Sequence, residues 1–175
     1  IEAYLAEKDL DLTATLDGES ARVLEGWRQA ERLAPPAAKK PVKTVRRSQR
    51  YIYFLYRDGT VEARLLSATG HSPHGENEVS AWKNVTELIP GRQHTLALCS
   101  DGTVLTAGRG YGQPYAVSGW KNVEKIYLSG AMAAAVTAAG TVYALWADTN
   151  EPVEGTEQWR DITSLALGDD FLIRL

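Results

Sequence analysis

Cysteine is almost absent from this chain: Cys99 is the only one in 175 residues. A lone cysteine cannot close an internal disulfide, so no cross-linked framework holds the fold, and it fixes no cellular compartment. It follows Leu98 at the end of an apolar run, where a small buried side chain is the expected role. No apolar stretch reaches the roughly 18 to 20 residues that cross a bilayer as a helix, so no membrane span is expected. An excess of positive charge is also missing. Lys and Arg number 19 against 22 Asp and Glu, a net charge of −3, which argues against nucleic acid as the partner. The chain has enough apolar material to bury a core: 44% of residues are hydrophobic and 23% are charged, ordinary for a globular protein.

Against these absences stands a repeated phrase. Trp82-Lys83-Asn84-Val85 leads to Asp101-Gly102-Thr103-Val104, and Trp120-Lys121-Asn122-Val123 leads to Ala139-Gly140-Thr141-Val142. In both copies the Trp stands 19 residues before the first turn residue, with no gap. Trp159-Arg160-Asp161-Ile162 begins another copy, and Asp58-Gly59-Thr60-Val61 ends an earlier one whose Trp slot holds Lys39. Apolar slots agree across all four copies. Val42, Val85, Val123 and Ile162 share one, and Val45, Leu88, Ile126 and Leu165 share another. Tyr53, Leu96, Ala134 and Ile173 share a third, and Leu55, Leu98, Val136 and Leu175 a fourth. A period of about 40 residues marks stacked supersecondary units.

The units read as β-structure. Asp58-Gly59, Asp101-Gly102 and Ala139-Gly140 sit between short apolar runs and supply the positive φ of a tight hairpin turn. A loop rich in Gly, Pro and Asn follows each hairpin, and two further short strands are expected, in the clearest copy near Ala116–Val117 and Val123–Leu128. Four short strands per period make a propeller blade. Apolar residues that do not alternate cleanly suit blades packed on both faces. The fold class is therefore all-β, a partial or full β-propeller of four-stranded blades, with about 3.5–4 repeats in this chain. The units fall at 39–81, 82–119, 120–158 and a half repeat at 159–175, after an N-terminal segment of 1–38.

The motif set resembles the regulator of chromosome condensation repeat in its bacterial form. The residues that carry the likeness are Gly91, His94-Thr95-Leu96-Ala97-Leu98, Asp101-Gly102-Thr103-Val104, Gly108, Gln113-Pro114 and Val117. It covers residues 39 to 175 and is strongest over Lys83–Val117. The resemblance implies a propeller of four-stranded blades, commonly seven. It also implies a role exercised by presenting one face to another protein: nucleotide exchange on small GTPases, chromatin reading, ubiquitin-ligase adaptation, or action as a secreted inhibitor of β-lactamases.

The first forty residues fit the repeat less well. Leu10–Leu16 with Asp17-Gly18 and Val23-Leu24 reads as a degenerate hairpin, and Ser20–Leu33 reads alternatively as an amphipathic helix stopped by Pro35-Pro36. Three and a half to four blades close a ring poorly. The expected partners accordingly include a second copy, or a further part of a longer chain, that completes the ring. An N-terminal strand pairing with Phe171–Leu175 is another way to complete the last blade.

Candidate chemistry is thin, and no cofactor is expected. His71, His74 and Glu76 lie within six residues and form the nearest approach to a metal-ligand set, but no second cluster closes it. No copy carries a Ser-His-Asp constellation, so an enzyme is not expected. Gly108-Arg109-Gly110-Tyr111-Gly112 follows a strand but opens no helix, so turn formation explains its glycines better than phosphate binding. Lys39, Lys40, Lys43, Arg46, Arg47 and Arg50 form an acid-free basic run, while residues 1–19 carry six acids against Lys8. The run suits an acidic partner, this chain's own acidic segment, or a charged edge strand. Arg109, Tyr111, Tyr115 and Trp146 supply the arginine and aromatic side chains that protein interfaces favour and are the candidate binding anchors. Trp82, Trp120, Trp159, His94, Asp58, Gly59, Asp101, Gly102 and Gly140 recur in register and are expected to be structural, with the three indoles buried between blades.

Overall fold

Each copy of the repeat folds as an antiparallel sheet whose strands follow in chain order. The computed structural model describes residues 40–66, 74–109 and 114–175, with the backbone of residues 15–16. The first sheet contains β2 (Val42–Arg47), β3 (Tyr51–Tyr56) and β4 (Val61–Leu65), with β1 (Thr15–Leu16) parallel to β2 on its other side. The second contains β5 (Val85–Pro90), β6 (His94–Cys99) and β7 (Val104–Gly108). The third contains β8 (Val123–Leu128), β9 (Met132–Thr137) and β10 (Val142–Trp146). β11 (Leu165–Leu167) and β12 (Leu172–Arg174) form a two-stranded fourth. A 3-10 turn at Thr156–Gln158 is the one helical element among the described residues, and no helix there is long and apolar enough to cross a membrane. First strands of successive sheets approach one another, β2 to β5, β5 to β8 and β8 to β11. That convergence is the radial arrangement of propeller blades.

Burial explains the apolar slots. All six residues of β3, β6 and β9 are buried, because each middle strand is covered on both faces. The first strands bury residues three apart: Val42 and Val45, Val85 and Leu88, Val123 and Ile126. Strict alternation would bury residues two apart. The difference is a β-bulge, since register shifts between Val42 and Thr44, Val85 and Glu87, and Val123 and Lys125. One extra residue returns the third position to the same face.

Three apolar clusters fill the spaces between sheets. Tyr51, Tyr53 and Leu55 meet Val85, Leu88 and Ala97 with Trp82 alongside. Leu96 and Leu98 meet Trp120, Val123 and Ile126. Ala134 and Val136 meet Ile162 and Leu165 with Trp159 alongside. The core is thus the set of junctions between blades.

Several expectations change. Among the described residues the fourth strand is vestigial in the second and third blades: Ala116 and Val117 lie outside any strand, and in the third sheet the fourth strand is a lone bridge from Leu145 to Pro152. Pro152 has no N–H to extend a ladder. Beside Pro114, the Asn150 side chain takes the backbone bonds instead, accepting from the Ala116 amide at 3.0 Å and donating to the Pro114 carbonyl at 2.8 Å. The hairpin loops hold three residues rather than two. Gly59 donates to the Tyr56 carbonyl and Tyr56 to that of Thr60, which makes an ordinary turn closed by one left-handed glycine. Thr15–Leu16 pairs with Thr44 and Val45 rather than with Phe171–Leu175. Thr44 and Val45, in the middle of β2, are therefore bonded on both sides, so that part of the basic run is not a free edge. The N-terminal helix alternative and most of the N-terminal hairpin lie outside the described residues.

Candidate interaction face

The two ends of the sheets have different jobs. At one end the Gly-Thr turns lock each sheet to the next. Gly59, Gly102 and Gly140 have φ of 77°, 77° and 70°, and their carbonyls accept from the amides of Val85, Val123 and Ile162 at 2.9, 3.0 and 3.0 Å. The residue before each donor is itself left-handed: Asn84, Asn122 and Asp161, with φ of 58°, 54° and 56°. Asn and Asp adopt that conformation at least cost after glycine. A Cβ on Gly59 would lie 2.9 Å from the Asn84 Cα, and one on Gly140 2.9 Å from that of Asp161. The repeated turn and the repeated Trp phrase are the two halves of one joint between neighbouring blades.

The turn side chains support that joint. Asp58 accepts from the Thr60 amide and hydroxyl at 2.9 and 2.6 Å, and Asp101 does the same with Thr103 at 3.0 and 2.6 Å. Ala139 cannot, and Thr137 substitutes, its hydroxyl 2.6 Å from that of Thr141 and accepting the Thr141 amide at 3.1 Å. Lys40 pairs with Asp58 at 2.8 Å, and with Thr60 this holds the Asp58 carboxyl at about 2, below its usual 3.8. Lys43 of the basic run donates to the Thr86 carbonyl at 2.7 Å, and Lys125 of the third sheet to that of Thr163 at 2.6 Å, so each lysine ties its blade to the next. Of the three indoles, Trp120 is 5% exposed and stacks on Tyr143 at 5.5 Å. Trp82 and Trp159 are only half-buried, short of the burial expected for all three, and Arg174 lies over the Trp159 ring.

The opposite end carries the loops between first and second strands. Four copies of one two-residue tip stand there. They are closed by backbone bonds from Ser48 to Tyr51, Gly91 to His94, Ser129 to Met132 and Gly168 to Phe171, at 2.9, 2.7, 2.9 and 3.0 Å. The tips are Gln49-Arg50, Arg92-Gln93, Gly130-Ala131 and Asp169-Asp170. One depression, lined by Arg47, Gln49, Pro90 and Arg92, lies between the first two tips. A second, lined by His74, Arg92, His94, Leu128, Gly130 and Asp169, spans the second, third and fourth tips, and the two share Gly91 and Arg92.

The candidate anchors separate. Arg109 is exposed at the end of β7, in a groove shared with His74, Glu78 and Pro114. Trp146, half-buried, ends β10 opposite Met132. Tyr115 is 3% exposed, its ring 4.2 Å from that of the buried His94. It packs inside the second junction, so it is a core residue and not a surface anchor, because the segment carrying it folds inward to cover β6. Tyr111 and His71 lie outside the described residues. His74 is half-exposed, whereas Glu76 is fully buried, its carbonyl accepting from Tyr53 at 3.1 Å and Thr95 at 2.8 Å. Burial pushes the Tyr53 hydroxyl up to about 12. Sequence reasoning overlooked the four tips, although the ungapped register places them at equivalent positions.

Comparison with solved structures places this architecture. The chain is similar to human WBSCR16, at 16% identity and a TM-score of 0.54 over 82% of this chain and 47% of that one. It is also similar to the computationally designed Ika4 protein, at 16% identity and a TM-score of 0.52 over 81% of this chain and 88% of that one. The fold is that of RCC1-like propeller blades. The yeast RCC1 protein Prp20p, from Saccharomyces cerevisiae, matches over 65% of this chain and 32% of its own length, at 14% identity and a TM-score of 0.48. The chain therefore spans less than half of the RCC1-like proteins it resembles, and the likeness is one of fold. No protein-family model matches it, and no curated protein matches it.

Proposed function

We propose that this chain is a non-enzymatic protein–protein interaction module built on RCC1-like blades. The observation that carries the reading is the loop end of the arc. Four tips share one backbone geometry and differ at their exposed positions, while the opposite end is occupied by joints between blades. A rigid scaffold that varies its loops on one face is how repeat proteins present binding surfaces. Arg109 and Trp146 flank that face and are the proposed anchors. The test is cross-linking capture of partners from native lysate with wild type and with an Arg109→Ala, Trp146→Ala variant. The reading requires a partner whose recovery falls in the variant, and equal recovery from both proteins removes it. Nucleotide exchange on a small GTPase and action as a secreted protein inhibitor are narrower forms of the same role. Release of labelled nucleotide from candidate GTPases separates the first, and an unchanged rate eliminates it.

The open end of the arc belongs to the same proposal. Phe171, Ile173 and Leu175 are 51%, 50% and 67% exposed, at positions that correspond to Tyr51, Tyr53 and Leu55 in the first sheet. Those three are 5%, 0% and 1% exposed, because the next blade covers them. We read the surface as one that a further blade covers, from a longer form of the chain or from a second copy. Sedimentation that shows a monomer with this face reactive to an apolar dye supports the first source, and a stable dimer supports the second.

A further inference from the structure

The four loop tips form a charge series. In chain order their residue pairs are Gln49-Arg50, Arg92-Gln93, Gly130-Ala131 and Asp169-Asp170. One cation stands on each of the first two blades, the third carries none, and the fourth carries two anions. Arg50, Arg92, Asp169 and Asp170 are all exposed. From the sequence alone these residues are scattered through 121 positions; the repeat brings them onto one end of successive blades in order of charge.

The third tip lies close against the fourth. A Cβ on Gly130 would lie 2.9 Å from Oδ1 of Asp169, and the Gly130 amide donates to that oxygen at 3.1 Å. The fourth tip leans against the third and fixes the Asp169 carboxylate at the rim of the depression that reaches back to Arg92. At the other side, Arg92 also lines the depression shared with Arg47 and Gln49. The two depressions meet at Gly91 and Arg92, so a groove runs past the tips with Arg47 and Arg92 lining one part and Asp169 the other, and with Gly91 and Gly130 in its lining; Arg50 and Asp170 stand exposed on the tips beside it.

We propose that this groove docks a protein segment whose own charges are segregated, with carboxylates placed over Arg50 and Arg92 and Lys or Arg side chains over Asp169 and Asp170. The inference deepens the interaction reading above and rests on it. A duplex or single-stranded nucleic acid fits poorly, because a uniform polyanion that satisfies the arginine end is repelled at the aspartate end. A side-chain-poor centre leaves room for backbone to approach between the charged ends. Opposed charges also set orientation, since reversing the segment places like charges together at both ends.

The experiment uses two labelled peptides of identical composition. One has its glutamates in one half and its lysines in the other; the control alternates them. Fluorescence anisotropy against the full chain at low salt is expected to show the segregated peptide binding about tenfold more tightly, the effect of a pair of exposed ion pairs. The preference shrinks at about 0.15 M salt, where screening sets in within about 8 Å. Arg50→Glu with Arg92→Glu, and separately Asp169→Lys with Asp170→Lys, each abolish the preference; the aspartate pair also lowers the thermal midpoint, because Asp169 loses the bond from the Gly130 amide, whereas Asp170→Lys alone keeps that bond and still weakens the preference. Equal binding of both peptides, or tighter binding of an oligonucleotide than of the segregated peptide, overturns the proposal. Lysate capture separates it from the underlying reading: a partner retained by both charge-reversed variants sinks this inference alone, and no partner for wild type sinks both.

Discussion

The amide of Val123 donates to the carbonyl of Gly102 at 3.0 Å across the space between the second and third sheets. The same bond joins Val85 to Gly59 and Ile162 to Gly140. It explains why two short phrases recur together in this chain. A left-handed Gly and a left-handed Asn or Asp must meet backbone to backbone, and few other residue types tolerate either position.

Gly102→Ala is expected to destabilise the chain by more than the left-handed penalty of about 1–2 kcal/mol, because its Cβ would also lie 3.1 Å from the Asn122 Cα. Gly119→Ala is the control: nothing lies within 4 Å of its Cβ, and its φ is not positive. Urea midpoints of the two variants should differ clearly, with Gly119→Ala close to wild type.

Trp120→Ala should cost about 3–5 kcal/mol, the usual loss for a buried large aromatic, since the indole is 5% exposed and stacked on Tyr143. Trp82→Ala should cost less, because that indole is half-buried. Denaturant unfolding with both variants tests the order; equal losses would mean that the two sites are packed alike.

Acid should weaken the first joint, and an Asp58→Asn variant separates the contribution of that carboxylate from those of the chain's other acids. The Asp58 carboxyl is held at about 2 against an ordinary 3.8, chiefly by Lys40. A depressed folded pKa gives stability that is complete above the unfolded value and is lost as pH falls toward the folded one. The difference in stability between wild type and Asp58→Asn should therefore shrink between about pH 4 and pH 2. Asp58 is exposed, so the effect is small, and high salt should reduce it.

Cys99 should resist alkylation in the folded chain. It is 7% exposed, and burial raises its thiol pKa, which lowers the thiolate fraction. Its reaction with iodoacetamide is expected to be slow in buffer and fast in denaturant; equal rates would place the thiol in solvent.

Much of this fold is legible in the sequence. The ungapped slots from Val42 to Leu165 predict which residues face the junctions, because the repeated burial pattern is the same in each copy. The bulge is not legible: apolar residues three apart resemble helical spacing until the paired strand shows the extra residue. Nor is the partner of each turn. The Trp phrase and the turn that follows it in sequence belong to one repeat, but each turn docks on the phrase of the next. Tyr115 illustrates the limit for the site. An aromatic in a Gly-rich loop has the composition of an interface anchor, and only the third dimension shows it against His94. The tips were hidden for the opposite reason, since a repeat search rewards positions that agree and these are positions that differ.

The most direct measurement is by NMR, through couplings across hydrogen bonds from the amide nitrogens of Val85, Val123 and Ile162 to the carbonyl carbons of Gly59, Gly102 and Gly140. The account predicts all three couplings, with those amides protected from solvent exchange like strand residues. Absent couplings together with fast exchange at the three amides would contradict it.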